Sequence, residues 1–273
     1  MLRNKSIGIF DSGFGGVFIM KGIVEKLPKY DFAYLGDTAR VPYGTRSKDV
    51  VYKFTKEAVD FLFNNNCELI IFACNTASSD ALRRIQKEYL PKKYPGKKVL
   101  GVIIPAVESA LEMVAVKKVG VMATQGTVDS KSFVREFQKI NPKIKIFQQA
   151  CPLLSHIVEA GEQNSEIAHL TLKKYLQPLL KKNIDTLILG CTHYGILEPK
   201  IRKIVGKNIR IISESRIMGK KLKNYLERHP EIEKKLGRNF QQIFYSTDIT
   251  NRFNVLGSKF FGKKINFKKV QLQ

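Results

Sequence analysis

The sequence predicts an α/β fold built from mainly parallel sheets flanked by helices, and three observations carry that reading. Short apolar runs of strand length alternate with longer helix-like segments. Two stretches in different halves of the chain look alike. The polar residues best suited to chemistry follow directly on the ends of the apolar runs.

The runs, in order, are SIGIF (6–10), FAYLG (32–36), ELIIFA (68–73), KVLGVI (98–103), KVGVMA (118–123), IKIFQQ (144–149), DTLILG (185–190), IRIIS (209–213) and QIFYST (242–247). Candidate helices lie between them at 47–65, 77–90, 105–116, 129–140, 164–182 and 216–228. Strand and helix alternating in this way imply parallel sheets covered on both faces. Such sheets bind ligands at the carboxyl ends of their strands. KSIGIFDSG (5–13) also resembles KKVGVMATQG (117–126), and the offset between Gly8 and Gly120 nearly equals that between Cys74 and Cys191. Two α/β halves of similar plan are the simplest reading. The expected division is 1–98 with 214–273 as a first, discontinuous domain and 99–213 as a second.

Composition narrows the function classes. A chain of 273 residues with 44% apolar residues can fill a sizeable core. No window approaches about 18 uninterrupted apolar residues, and the start of the chain lacks an apolar signal core, so a soluble, cytoplasmic protein with no membrane partner is expected. The four cysteines lack the dense spacing of a disulfide scaffold and are expected to be free thiols. The formal net charge of +23 raises nucleic acid as a partner. Its spread along the chain, with 14 Lys and Arg against 5 Asp and Glu in 214–273, argues instead for a generally basic surface. Nucleic acid is left open on that charge alone.

The chemistry concentrates at two thiols. Cysteine at a strand end is ordinarily core, and Cys67 and Cys151 are read that way. Cys74 and Cys191 differ because Asn75-Thr76 and Thr192-His193 follow at once, residues that suit a turn facing a ligand. A structural zinc site needs four ligands, and only Cys191 and His193 sit at a ligand-like spacing, so no metal is expected. A lone Cys nucleophile with a His base leaves the second cysteine unexplained. Two converging thiols suit paired acid/base work, because a thiol near pKa 8.5 can be biased either way by its neighbours. The loop DSGFGG (11–16) would let backbone amides approach an anion, with Asp11 either binding a ligand, assisting a thiol or capping the loop. GDTARVPYGTRS (36–47) is rich in turn residues, and Tyr43-Gly44 offers a phenol and a bare backbone.

Together, IGIFDSGFGG, YLGDTARVPYGTRS, ACNTAS and LGCTHYG resemble, in order, the motifs of the glutamate racemases within the aspartate/glutamate racemase superfamily. FYSTDITNRFNVLGSKFFG is similar to the family's C-terminal segment. The resemblance implies two pseudo-symmetric domains with the active site in the cleft between them, and interconversion of L- and D-glutamate without cofactor or metal. It implies that Cys74 and Cys191 are the acid/base thiols, that Asp11 supports one, and that His193 with Glu159 of HIVEAGE supports the other. Asp11, Ser12, Tyr43, Gly44, Asn75, Thr76, Thr192 and His193 would bind the amino acid. It also implies a homodimer that supplies D-glutamate to peptidoglycan in a bacterial cytoplasm. An aspartate racemase, a related dicarboxylate enzyme, or a racemase fold with a second DNA-related role are the alternatives. The sequence departs from the family pattern at Gly195, where proline is expected, and at Ile104, where glutamate is expected.

Overall fold

A computed structural model describes residues 5–112 and 116–273. Among these described residues ten strands form two sheets, with every pairing parallel. The first holds β1 (Ser6–Asp11), β2 (Phe32–Gly36), β3 (Cys67–Phe72), β4 (Lys98–Gly101), β9 (Gln242–Ser246) and β10 (Phe267–Lys269), in the order β10-β9-β2-β1-β3-β4. The second holds β5 (Lys118–Ala123), β6 (Lys145–Ala150), β7 (Thr186–Gly190) and β8 (Arg210–Ser213), in the order β6-β5-β7-β8. β2-β1-β3-β4 and β6-β5-β7-β8 are the same arrangement made twice, and Gly8 and Gly120 lie on its equivalent strands β1 and β5.

β1, β2, β3 and β7 are buried along their whole length. Strands covered on both faces need apolar residues at successive positions and not at alternate ones, which is the pattern these runs show. Helices are set by local caps. Ser47, Thr124, Ser165 and Thr250 each accept a backbone N–H in the first turn of the helix they precede.

Expected elements and structure differ in places with physical causes. The helix expected over 77–90 begins at Asn75 and is broken into short pieces with a wider π turn at Ile85–Tyr89. The one expected over 129–140 is divided at Lys131, whose φ of 54 is left-handed. KVLGVI leaves the sheet at Gly101, and Ile103 already starts the helix Ile103–Leu111. Of the helix expected over 105–116, residues 113–115 lie outside the described residues. β10 was not expected, because FKK carries no apolar run.

The helix Glu214–Arg228, which follows β8, lies across Gly16–Lys26, which follows β1. The backbones touch: a Cβ on Gly22 would lie 1.8 Å from the Ser215 carbonyl oxygen, and one on Gly219 2.5 Å from that of Gly22. This crossing ties the second sheet's last strand to the first sheet and so positions the loops of both. Among the described residues no helix is long and apolar enough to cross a membrane.

Candidate active site

Loops at the carboxyl ends of strands from both sheets meet. β1 ends on Asp11, which is fully buried. Its Oδ2 accepts the Gly13 and Gly16 amides at 3.1 and 3.0 Å, so one oxygen caps the loop. Its Oδ1 is buried with no partner among the described residues and is free to serve a ligand. Burial raises the Asp11 carboxyl, against the lowering effect of His193 and the two amides. The Tyr34 hydroxyl donates to the Gly13 carbonyl at 2.7 Å and holds the loop from below.

Cys74 follows β3 and caps the helix Asn75–Asp80, its sulfur accepting the Ala77 amide at 3.4 Å. The thiol donates to Ser12 Oγ at 3.4 Å. Burial, reinforced by the Asp11 charge, pushes it up to about 12, so it stands as the protonated thiol. Asn75 donates Nδ2 to Glu214 Oε2 at 2.9 Å, and Thr76 shares a hydrogen bond of 3.0 Å with Thr124.

Cys191 follows β7, and its sulfur lies 3.7 Å from His193 Nδ1. His193 Nε2 lies 3.2 Å from Glu159 Oε1, at ion-pair distance though not aligned for a hydrogen bond. Burial alone would lower the imidazole; its partners Cys191 and Glu159 outweigh it and hold the ring well above the usual histidine value. Glu159 is held below the usual carboxylate value, because His193 outweighs its burial. Thr192 Oγ1 lies 3.4 Å from His193 Nδ1, and the Phe14 ring packs edge-on against the imidazole at 5.4 Å.

Two contacts fix how closely the halves approach. A Cβ on Gly15 would lie 2.4 Å from Thr192 Oγ1, and one on Gly44 2.7 Å from the Thr124 Cβ. The thiols are enclosed, Cys74 being 5% and Cys191 8% exposed.

The structure therefore gathers Asp11, Ser12, Cys74, Asn75, Thr76, Cys191, Thr192, His193 and Glu159 at one junction. Tyr43 is held differently from the other candidates. Its hydroxyl donates to Asp37 Oδ2 at 2.5 Å and its ring packs against Phe10 and Phe54, so the phenol is committed to the core and Tyr43-Gly44 offers a ligand only its backbone. Cys67 and Cys151 are fully buried core residues. Burial pushes Cys67 up to about 12, with Ser6 Oγ at 3.3 Å.

Glu214 and Thr124 escaped the sequence reading. Both follow directly on strands, as Cys191 does, and that was the available signal. Glu214 is 2% exposed, and burial raises its carboxyl well above the usual range. Of the departures, Gly195 sits in the turn after Cys191 against Phe18 and Ser213. Ile104 lines a separate cavity of about 890 Å³ that none of the candidate residues lines.

A parallel α/β scaffold made twice, with a buried thiol after the third strand of each sheet, sets the class of protein. The sequence model of the Asp/Glu/Hydantoin racemase family matches residues 7–217, and the chain belongs to that family. It is 39% identical to a glutamate racemase of Sulfurihydrogenibium over 97% of each chain, and 36% identical to one of Geobacter metallireducens over 96% of this chain and 94% of that one. Its structure is similar to a glutamate racemase isoform of Bacillus anthracis, at a TM-score of 0.90 and 32% identity over 99% of each chain. It is also similar to the Francisella tularensis glutamate racemase in complex with D-glutamate, at a TM-score of 0.87 and 35% identity over 99% of this chain and 98% of that one. The likeness to the Picrophilus torridus aspartate racemase, at 19% identity and a TM-score of 0.56, is one of fold.

Proposed function

We propose that this protein interconverts L- and D-glutamate by two-thiol acid/base chemistry with no cofactor. The observation that carries the reading is the equivalence of Cys74 and Cys191: each follows the third strand of its sheet, and each has its own charged support, Asp11 for one and the His193–Glu159 pair for the other.

The obstacle is the weak acidity of the α C–H bond beside a carboxylate. A thiolate at Cys191, with the imidazolium of His193 next to it, takes the α-proton from one face, leaving the electron pair on carbon and its carboxylate. The Cys74 S–H bond then breaks and its proton completes the new C–H bond on the opposite face. For the other enantiomer the thiols exchange roles. Buried donors stabilise charge far better in a water-poor site than in solution, which is the value of the enclosure. Asp11 Oδ1 suits the ammonium group, while the Ser12, Thr76 and Thr192 hydroxyls and the Gly44 backbone suit the two carboxylates.

The proposal includes domains of 1–98 with 214–273 and 99–213, with β4 crossing the first boundary, and a homodimer in a bacterial cytoplasm supplying D-glutamate to peptidoglycan. Its test is incubation of the purified protein with L-glutamate alone, followed by circular dichroism. Loss of optical activity with D-glutamate formed supports the reading; no change, or change with aspartate only, overturns it.

A further inference from the structure

The end of the six-stranded sheet opposite the thiols draws cations together from distant parts of the sequence. Arg238 precedes β9, Lys29 precedes β2, Lys5 precedes β1 and Lys97 precedes β4. With neighbouring strands about 4.8 Å apart, the row from β9 to β4 spans roughly 20 Å. The dispersal of charge along the chain conceals this row, because each residue comes from a different segment.

Three ammonium groups share one carboxylate here: Lys5, Lys97 and Lys235 lie 3.0, 2.7 and 3.0 Å from Glu68. One negative charge for three positive ones leaves a local excess. Lys5, Lys234, Lys235 and Arg238 line an open groove of about 780 Å³. Glu233 pairs with Arg238 and His229 with Glu231, so acids are present at one flank but in the minority.

Two residues along the chain from Arg238, which lines the groove, an aromatic ring is displayed to solvent. Phe240 is 66% exposed, and its φ of 59 is a left-handed conformation that aromatic residues rarely adopt. The display is built, since buried Asp31 accepts Asn239 N at 3.0 Å, Asn239 Nδ2 at 2.6 Å and Gln241 N at 3.0 Å, fixing the residues on either side. Strain held by three bonds to a buried carboxylate keeps an apolar ring largely out in solvent.

We infer that this face binds single-stranded nucleic acid, with the phosphates along Lys5, Lys234, Lys235 and Arg238 and a base stacked on Phe240. A cationic groove with an aromatic platform is the arrangement by which proteins hold single strands without reading sequence. A shallow cationic groove with a single pinned ring suits a strand better than a bilayer, which needs a broader apolar surface. A duplex hides the base faces that Phe240 would meet.

The test is fluorescence anisotropy with a labelled oligothymidylate of about 15 nucleotides, at roughly 150 mM salt. Expected are binding that weakens as salt rises and a loss of about tenfold or more in Phe240→Ala. Phe240→Tyr should retain affinity, and Lys234→Ala combined with Arg238→Ala should flatten the salt dependence. Absence of binding at that salt, equal affinity of Phe240→Ala, or equal or tighter binding of a duplex or of anionic phosphatidylserine vesicles would each overturn the inference. None of these outcomes depends on the racemase reading.

Discussion

Gly15→Ala isolates the approach of the two loops. Gly15 has helical backbone angles, φ −57 and ψ −33, so alanine enters without backbone strain and the perturbation is steric. The added Cβ would sit 2.4 Å from Thr192 Oγ1 and 2.9 and 3.0 Å from two atoms of the His193 ring. Ordinary contact begins at 3.4 Å, so the Thr192–His193 loop must retreat by about 1 Å (3.4 minus 2.4). Misplacement of that size at a reacting centre costs about a hundredfold in rate. Overpacking of one methyl costs about 1–3 kcal/mol of stability. The assay is kcat/KM in both directions by circular dichroism, with a thermal melt to confirm that the variant is folded at the assay temperature. A folded Gly15→Ala protein with kcat/KM within threefold of the parent (about 0.7 kcal/mol) would refute the claim that this close approach positions the second thiol.

Other perturbations separate site from scaffold. Cys74→Ser and Cys191→Ser should each abolish racemisation in both directions, whereas Cys67→Ser should keep it, since that sulfur touches only Ser6 and the core; progress curves from each enantiomer decide this. Glu159→Gln removes the carboxylate that raises His193, so the alkaline limb of the rate profile should move to lower pH. Because the Glu159 carboxyl is lowered and the His193 imidazole raised, their stabilising interaction is complete between 4.5 and 6.5. It is lost as pH falls through the folded Glu159 value or rises through the folded His193 value. An unshifted alkaline limb together with a parent-like pH dependence of urea stability would count against the pair. Tyr34→Phe leaves the buried Gly13 carbonyl without its donor and should cost about 1–3 kcal/mol by urea unfolding; a change within about 0.3 kcal/mol would deny that bond a role in holding the Asp11 loop.

Strands and thiol loops were legible because they are local. A strand buried on both faces must be a continuous apolar run, and Cys-Asn-Thr or Cys-Thr-His after such a run has few other uses. What the sequence concealed depends on contacts between distant segments. Tyr43 reads as a free phenol until Asp37 is seen across the loop. Glu214 reads as a connecting residue between the run IRIIS and the helix expected over 216–228 until the crossing at Gly22 and Gly219 brings it to Asn75. The basic row from Lys97 to Arg238 exists only because five strands begin side by side.

The central claim is that two opposed thiols share one proton transfer, and solvent deuterium tests it directly. With L-glutamate in heavy water at early conversion, D-glutamate should carry deuterium at the α-carbon while recovered L-glutamate carries none, because the donating thiol exchanges with solvent and faces the product side. Deuterium entering unreacted L-glutamate as fast as D-glutamate forms would mean that one base serves both faces, and would contradict the claim.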